Sequence, residues 1–158
     1  GVSIRPLRDD DFAGELRRIY AVSAVSFRAN FLYTPFTAQQ FLDLYLPFQR
    51  FGYAGMSLLA EHDGAPVGFI FNVPDLTQRE RGEAPDTLII KTVAVLPGRA
   101  YAGLGSVLVA RSHRLARAQG FRRAIHALMH EHNASRHLSG RYARPIRRYA
   151  LFAKVLQS

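Results

Sequence analysis

Gly103 and Gly105, one leucine apart and preceded by Pro97, are the residues of this chain best spaced to hold a ligand. The apolar run Leu88–Leu96 ahead of them reads as a strand. Pro97 has no N–H with which to continue a ladder. After Gly103 the apolar residues repeat as on one side of a helix. Glycines at a helix start let a ligand approach the main chain, where unpaired N–H groups and the positive end of the helix dipole meet it. That combination suits phosphate. It is not the dinucleotide fingerprint, which needs a third glycine, nor a Walker loop, which needs Gly-Lys-Ser/Thr.

Strand, Pro97, spacer, Gly103-Leu104-Gly105 and apolar helix together resemble the acetyl-CoA-binding motif of the GNAT superfamily of N-acetyltransferases, V-x-P-x-x-R/Q-x-x-G-x-G/A. Val95, Pro97, Gly103 and Gly105 fall in register. Ala100 stands at the Arg/Gln position, with Arg99 one residue early; the main-chain cradle is kept and one side-chain contact is lost. The resemblance implies acetyl-CoA as donor and a primary amine of a small molecule or peptide as acceptor, attacking the thioester directly. It implies that the main chain of Val93, Ala94 and Val95 holds the pantetheine arm and the thioester carbonyl. Tyr101, Ala102, Gly103, Leu104, Gly105 and Ser106 would wrap the pyrophosphate. A second family pattern, N-x-x-A-x-x-x-Y, matches less well. Asn133 fits and would cap a short helix and reach the cofactor. Gly140 occupies the place of the general-acid tyrosine. Tyr142, two residues on, is the candidate proton donor, with Tyr149 or water as alternatives.

A general base is not fixed by the sequence. Glu61, Asp75, Glu83, Asp86 and Glu131 are candidates, and a base must stand near its proton before its pKa matters. Glu131, alone among many arginines, reads as an ion-pair member. His126, His130, His132 and His137 suggest a metal set. Yet an i,i+4 pair in or just past a strand does not converge as on a helix, and no cysteine or second carboxylate completes it. No metal is expected. His126 or His130 beside a cleft would still titrate in the range a base needs.

Charge and composition narrow the alternatives. The 158 residues include no cysteine and carry a net charge of +9. Residues 1–110 hold ten Arg/Lys against eleven Asp/Glu, whereas residues 111–158 hold eleven against one, Glu131. A basic third of this kind meets a phosphate-bearing cofactor, or is simply a solvated face; nucleic acid ranks behind both. Arg111, Arg114 and Arg117 follow Gly105 on the same helix, and Arg141, Arg144, Arg147 and Arg148 interleave with Tyr142 and Tyr149. A catalytically inactive CoA-binding module and a basic RNA-binding domain are the alternative functions. No apolar run reaches the ~18 residues of a membrane span, no signal-peptide pattern opens the chain, and the lack of thiols fits a cytoplasmic protein. A monomer or homodimer is expected. The chain starts Gly1-Val2-Ser3, so it reads as trimmed or as one piece of a longer protein.

The elements that must position these residues read in order. Val2–Leu7 alternates as a strand. Asp9, Asp10 and Asp11 offer an N-cap to a helix carrying Phe12, Leu16, Ile19, Tyr20 and Phe27. Thr37 and Gln40 form a capping box with Phe36 and Phe41 as its staple. Between these helices, Arg28–Pro35 is an aromatic loop suited to the mouth of a cleft, although Phe31 and Tyr33 also read as core. Ser57–Glu61 and Val67–Val73 are strands about an Asp63-Gly64 hairpin turn. Asp75–Asp86 reads as a polar loop. After the glycine turn a helix runs to Gly120, followed by a strand Phe121–Met129, a short helix from Asn133 and a last strand Tyr149–Leu156. The order β-α-α-β-β-β-α-β-α-β is α/β: a mixed, mostly antiparallel central sheet flanked by helices. It is also the GNAT order, so the resemblance spans one domain over residues 2–156.

Overall fold

Strand and turn chemistry build the sheet first. In the computed structural model, which describes residues 1–30, 33–133 and 135–155, Asp63 and Gly64 take φ of +51° and +79°. That pair of left-handed residues closes the hairpin between β2 (Leu58–His62) and β3 (Ala65–Pro74). With β1 (Val2–Pro6), β4 (Thr87–Val95) and β5 (Arg123–His126) they form one sheet in the order β1-β2-β3-β4-β5. The first three pairings are antiparallel and the last, β4 with β5, is parallel.

Helices cover both faces. α1 (Phe12–Ser26) and α2 (Ala38–Tyr45) pack Leu16, Ile19, Val22 and Phe41 against Phe69 and Phe71 of β3. The Thr37–Gln40 capping box forms as its sequence requires, at 3.2 and 2.8 Å, and Phe36 stacks on Phe41 with ring centroids 6.0 Å apart. α4 (Leu104–Ala118) packs Leu104, Leu108 and Val109 on the other face, against Ile70 and Ile90. The chain turns away after α4 at Gly120, φ +88°.

Several expectations need correction. Asp11 stands at the N-cap of α1, but its carboxylate pairs with Arg8 at 3.0 Å and makes no cap bond. The polar stretch 75–86 contains a helical turn, α3 (Leu76–Glu80), because Asp75 caps it through the Thr77 N–H at 3.1 Å. The strand expected over Phe121–Met129 pairs only as Arg123–His126. After Asn133 the helix α5 (Ser135–Ser139) is one short turn.

The strand expected over Tyr149–Leu156 does not form as far as Val155. Residues 143–155 are all exposed, Tyr149 at 69%. Alternation alone cannot hold a strand off the sheet, and Pro145 with four arginines nearby opposes pairing. Leu156 and Phe31 lie outside the described residues.

Candidate active site

The parallel pair β4–β5 is short because β5 ends where β4 continues. Its register runs from Thr87↔Arg123 to Ile90↔His126, and one further bond joins the Ala127 N–H to the Ile90 carbonyl at 2.9 Å. Beyond that point β4 runs on past a bulge at Lys91, with Thr92–Val95 paired with β3 alone. The strands therefore part, and a cavity of about 350 Å³ opens in the gap. That is within the size range of small-ligand sites.

Main-chain direction follows from strand alternation. The Leu96 N–H donates to Val67 of β3 at 2.8 Å, while the Val95 carbonyl accepts from Ser26 Oγ of α1 at 3.1 Å on the opposite side. Val93, two residues before Val95, turns its N–H and C=O the same way, into the gap. Ala94 turns its own toward β3 and is buried. Val93 also lines the cavity.

The glycine corner lies at the start of α4. Gly103 takes φ +84°, a left-handed conformation in which any side chain is strained, and its open side meets no atom within 4 Å. Its carbonyl accepts from the Ser106 and Val107 N–H groups at 3.0 and 3.2 Å. The N–H groups of Leu104 and Gly105 precede that ladder, so the helix cannot satisfy them. A methyl group at Gly105 would touch Leu138 of α5 at 3.4 Å; α5 forms the wall of the corner. The Tyr101 side chain packs on the core beneath α4, its hydroxyl 3.4 Å from His62 Nδ1.

The three arginines of α4 are not gathered at this corner. Arg111 turns back to the Ile4 carbonyl at 3.3 Å. Arg114 and Arg117 lie about 14 and 18 Å along the helix from Gly105 at a rise of 1.5 Å per residue.

Asn133 caps α5, its Oδ1 accepting from the Ser135 N–H at 2.9 Å, and it lines the cavity. Tyr142, 42% exposed, places its hydroxyl 3.4 Å from the Ser106 carbonyl in the first turn of α4. Tyr142 is thus beside the glycine corner, whereas Tyr149 belongs to the exposed segment 143–155.

The candidate carboxylates are all engaged elsewhere. Glu61 pairs with Arg5 and Arg18 at 2.8 and 3.0 Å. Asp75 caps α3, Glu83 pairs with Arg81 at 3.1 Å, and Glu131 lies on the surface 3.7 Å from His132. Asp86 accepts from Gln78, Arg123 and Thr87, which hold its carboxyl far below the usual carboxylate range.

Sequence reasoning named His126 but missed the partners it meets beside α5. His126 Nδ1 lies 2.8 Å from Ser139 Oγ, and His126 Nε2 lies 3.2 Å from His113 Nε2. His113 is on α4 and had no signal of its own. Burial lowers the pKa of both imidazoles from the ordinary value near 6.5, and His113 adds to the effect at His126. Among the described residues no three His, Cys, Asp or Glu side chains gather as metal ligands.

A family model described as "Acetyltransferase (GNAT) family" matches residues 16–141. No curated protein sequence matches the chain. Among solved structures, a GNAT family acetyltransferase from Brucella melitensis in complex with acetyl-CoA is similar at 24% identity. It covers 84% of this chain and 79% of that one, with a TM-score of 0.60. The diaminobutyrate acetyltransferase from Paenibacillus lautus, in complex with L-2,4-diaminobutyric acid and coenzyme A, is 20% identical. There the coverage is 90% and 74% and the TM-score 0.62. An aminoglycoside acetyltransferase from an uncultured soil metagenomic sample, in complex with sisomicin, is 14% identical; coverage is 99% and 97% and the TM-score 0.65. These likenesses carry the fold. The family match covers most of the chain, which belongs to the GNAT acetyltransferase family.

Proposed function

We propose that this member of the GNAT family transfers an acetyl group from acetyl-CoA to a primary amine of a small molecule or peptide, by direct attack on the thioester. The observation that carries the reading is the parting of β4 from β5 beyond Ile90, with the glycine corner of α4 at the same end of the sheet. Both features leave main-chain donors without a partner in their own element, which is what a long phosphate-bearing thioester requires.

The residues present fit such a donor. The open side of Gly103 and the N–H groups of Leu104 and Gly105 would take the pyrophosphate, with Tyr101, Ala102 and Ser106 completing the turn through their main chain. Val93, Ala94 and Val95 would line the pantetheine arm. Of these, Val93 presents its N–H to the gap, and Asn133 borders the cavity from α5. The donor supplies an activated acyl group. Val93 supplies a fixed N–H toward its carbonyl oxygen; one such donor aimed at a developing negative charge is worth about 3–4 kcal/mol. Tyr142 is the proposed proton donor to the leaving thiolate, swinging from the Ser106 carbonyl.

Acceptor chemistry is read from the remaining walls. Tyr20, Phe36, Phe41 and Tyr45 offer aromatic faces that suit a cationic amine. The diamine and the aminoglycoside seen with two structural relatives are amines of the proposed class.

Calorimetry with CoA, followed by thiol release against polyamines, amino acids, aminoglycosides and peptides, tests the reading. Gly105→Val, which drives a branched side chain toward Leu138 and over the corner, should weaken CoA binding by at least a hundredfold with the sheet intact. Gly103→Val is the less clean variant, because its left-handed backbone would also strain the fold. Unchanged CoA affinity in Gly105→Val would remove the corner from the site. Bound CoA with no amine ever acetylated would leave a binding module in place of an enzyme.

A further inference from the structure

The geometry points to Ser139, His126 and His113 as a proton line that carries the proton of the acceptor ammonium out of the cavity. The inference rests on the acetyltransferase reading and adds to it the base that the carboxylates do not supply.

Three observations meet here. First, among the described residues that line the cavity there is no Asp or Glu. The titratable groups there are Tyr20, Tyr33, Tyr45, Lys91 and His126, and of these only imidazole changes charge near neutral pH. Second, Ser139 Oγ and His126 both border the cavity, at 2.8 Å from each other, whereas His113 stands behind them on α4. Third, the two imidazoles face each other through Nε2 at 3.2 Å, with ring centroids 5.3 Å apart. Two neutral rings so placed share one hydrogen between the facing nitrogens. A Ser139 hydroxyl that donates to His126 Nδ1 makes His126 Nε2 the donor and His113 Nε2 the acceptor. The chain of donors then runs in one direction, from the cavity outward.

The proton balance is complete. The ammonium gives one proton to Ser139 Oγ. The Ser139 proton passes to His126 Nδ1, and the His126 Nε2 proton passes to His113 Nε2. One proton leaves His113 Nδ1 to water, and the free amine attacks. No electrons move in the relay and no co-reactant is needed. The groups that face the pair are Ser139 from α5 and Tyr142, edge-on to His113 at 5.3 Å; Lys91 of β4 borders the same cavity but turns to the Tyr45 ring at 6.0 Å. None of them is an anion that would hold a proton on the rings. Burial keeps the pair neutral, and therefore ready to accept, at pH 7.

The test is the pH profile of kcat/KM for the whole chain with two amines of different basicity, in wild type, His126→Gln and His113→Gln. Wild type should show an acid limb below pH 6.5 that stays put when the amine is changed. His126→Gln should lower kcat about a hundredfold, within the usual range for lost acid–base catalysis, abolish that limb and leave CoA affinity unchanged. His113→Gln should move the limb upward. His126→Asn, with thermal unfolding of each variant, covers the case in which the glutamine fails to fold. Nitrogen NMR should show a scalar coupling between the two Nε2 atoms. Amine turnover in His126→Gln with a wild-type profile overturns the relay alone. CoA binding with no turnover of any amine in wild type ends the transfer reading and the relay together.

Discussion

Opposite edges of one sheet carry opposite kinds of polar cluster. At the β1 edge, Arg5 lies between Glu15 of α1 and Glu61 of β2, at 2.7 and 2.8 Å, and Arg18 also reaches Glu61. Glu15 is fully buried. The arrangement holds Arg5 protonated well above its usual range, first through Glu15 and then Glu61. At the β5 edge, His113, His126 and Ser139 meet with no carboxylate, and both rings titrate below their usual value. Matched full charges fix β1, β2 and α1 in one place and leave no proton free to move. Neutral imidazoles leave one proton shared and mobile. The first cluster serves the fold; the second borders the cavity.

The largest effect should come from breaking the charged edge. Arg5→Met leaves Glu15 buried with only the more distant Arg8 at 3.5 Å. Removing one partner of a buried pair costs about 3–5 kcal/mol, and the lower figure is expected because Arg5 is partly exposed. Urea unfolding at pH 7 measures it. A loss below about 1 kcal/mol would show that Arg8 and solvent meet Glu15 as well as Arg5 does.

Acid should act on the other edge. Both histidines have folded-state pKa values depressed below the unfolded value, so the unfolded chain binds more protons as pH falls. Their contribution to stability is present above about pH 6.5 and is lost as the pH drops through the folded values. His113→Leu should flatten the fall in melting temperature between pH 7 and pH 5. An unaltered slope would place the acid sensitivity elsewhere.

The smallest change is Tyr142→Phe. One exposed hydroxyl bond of 3.4 Å to the Ser106 carbonyl is worth less than about 1 kcal/mol, so melting should barely move. Turnover should fall about a hundredfold, the low end for general acid–base groups, if the phenol protonates the thiolate. Unchanged turnover would give that proton to water.

Local chemistry determined much of this molecule before any packing. The Asp63-Gly64 turn, the Thr37–Gln40 box, Pro97 ending β4 and the left-handed Gly103 opening α4 each depend on a few neighbouring residues, and each forms as its sequence requires. The GNAT family was legible from that run of elements. Tertiary structure alone decided which polar groups meet. Glu61, a plausible base in one dimension, is claimed by Arg5 from 56 residues away, and Asp75 closes a helical turn where a loop was expected. Tyr149 had the alternation of a buried strand, yet nothing pairs it to the sheet among the described residues. His113 and His126 are 13 residues apart with no spacing to link them. They meet because α4 crosses the sheet and β5 returns parallel to β4. Short-range geometry is written in dihedral preferences and caps, whereas a shared proton needs two side chains brought within about 3 Å by the whole fold.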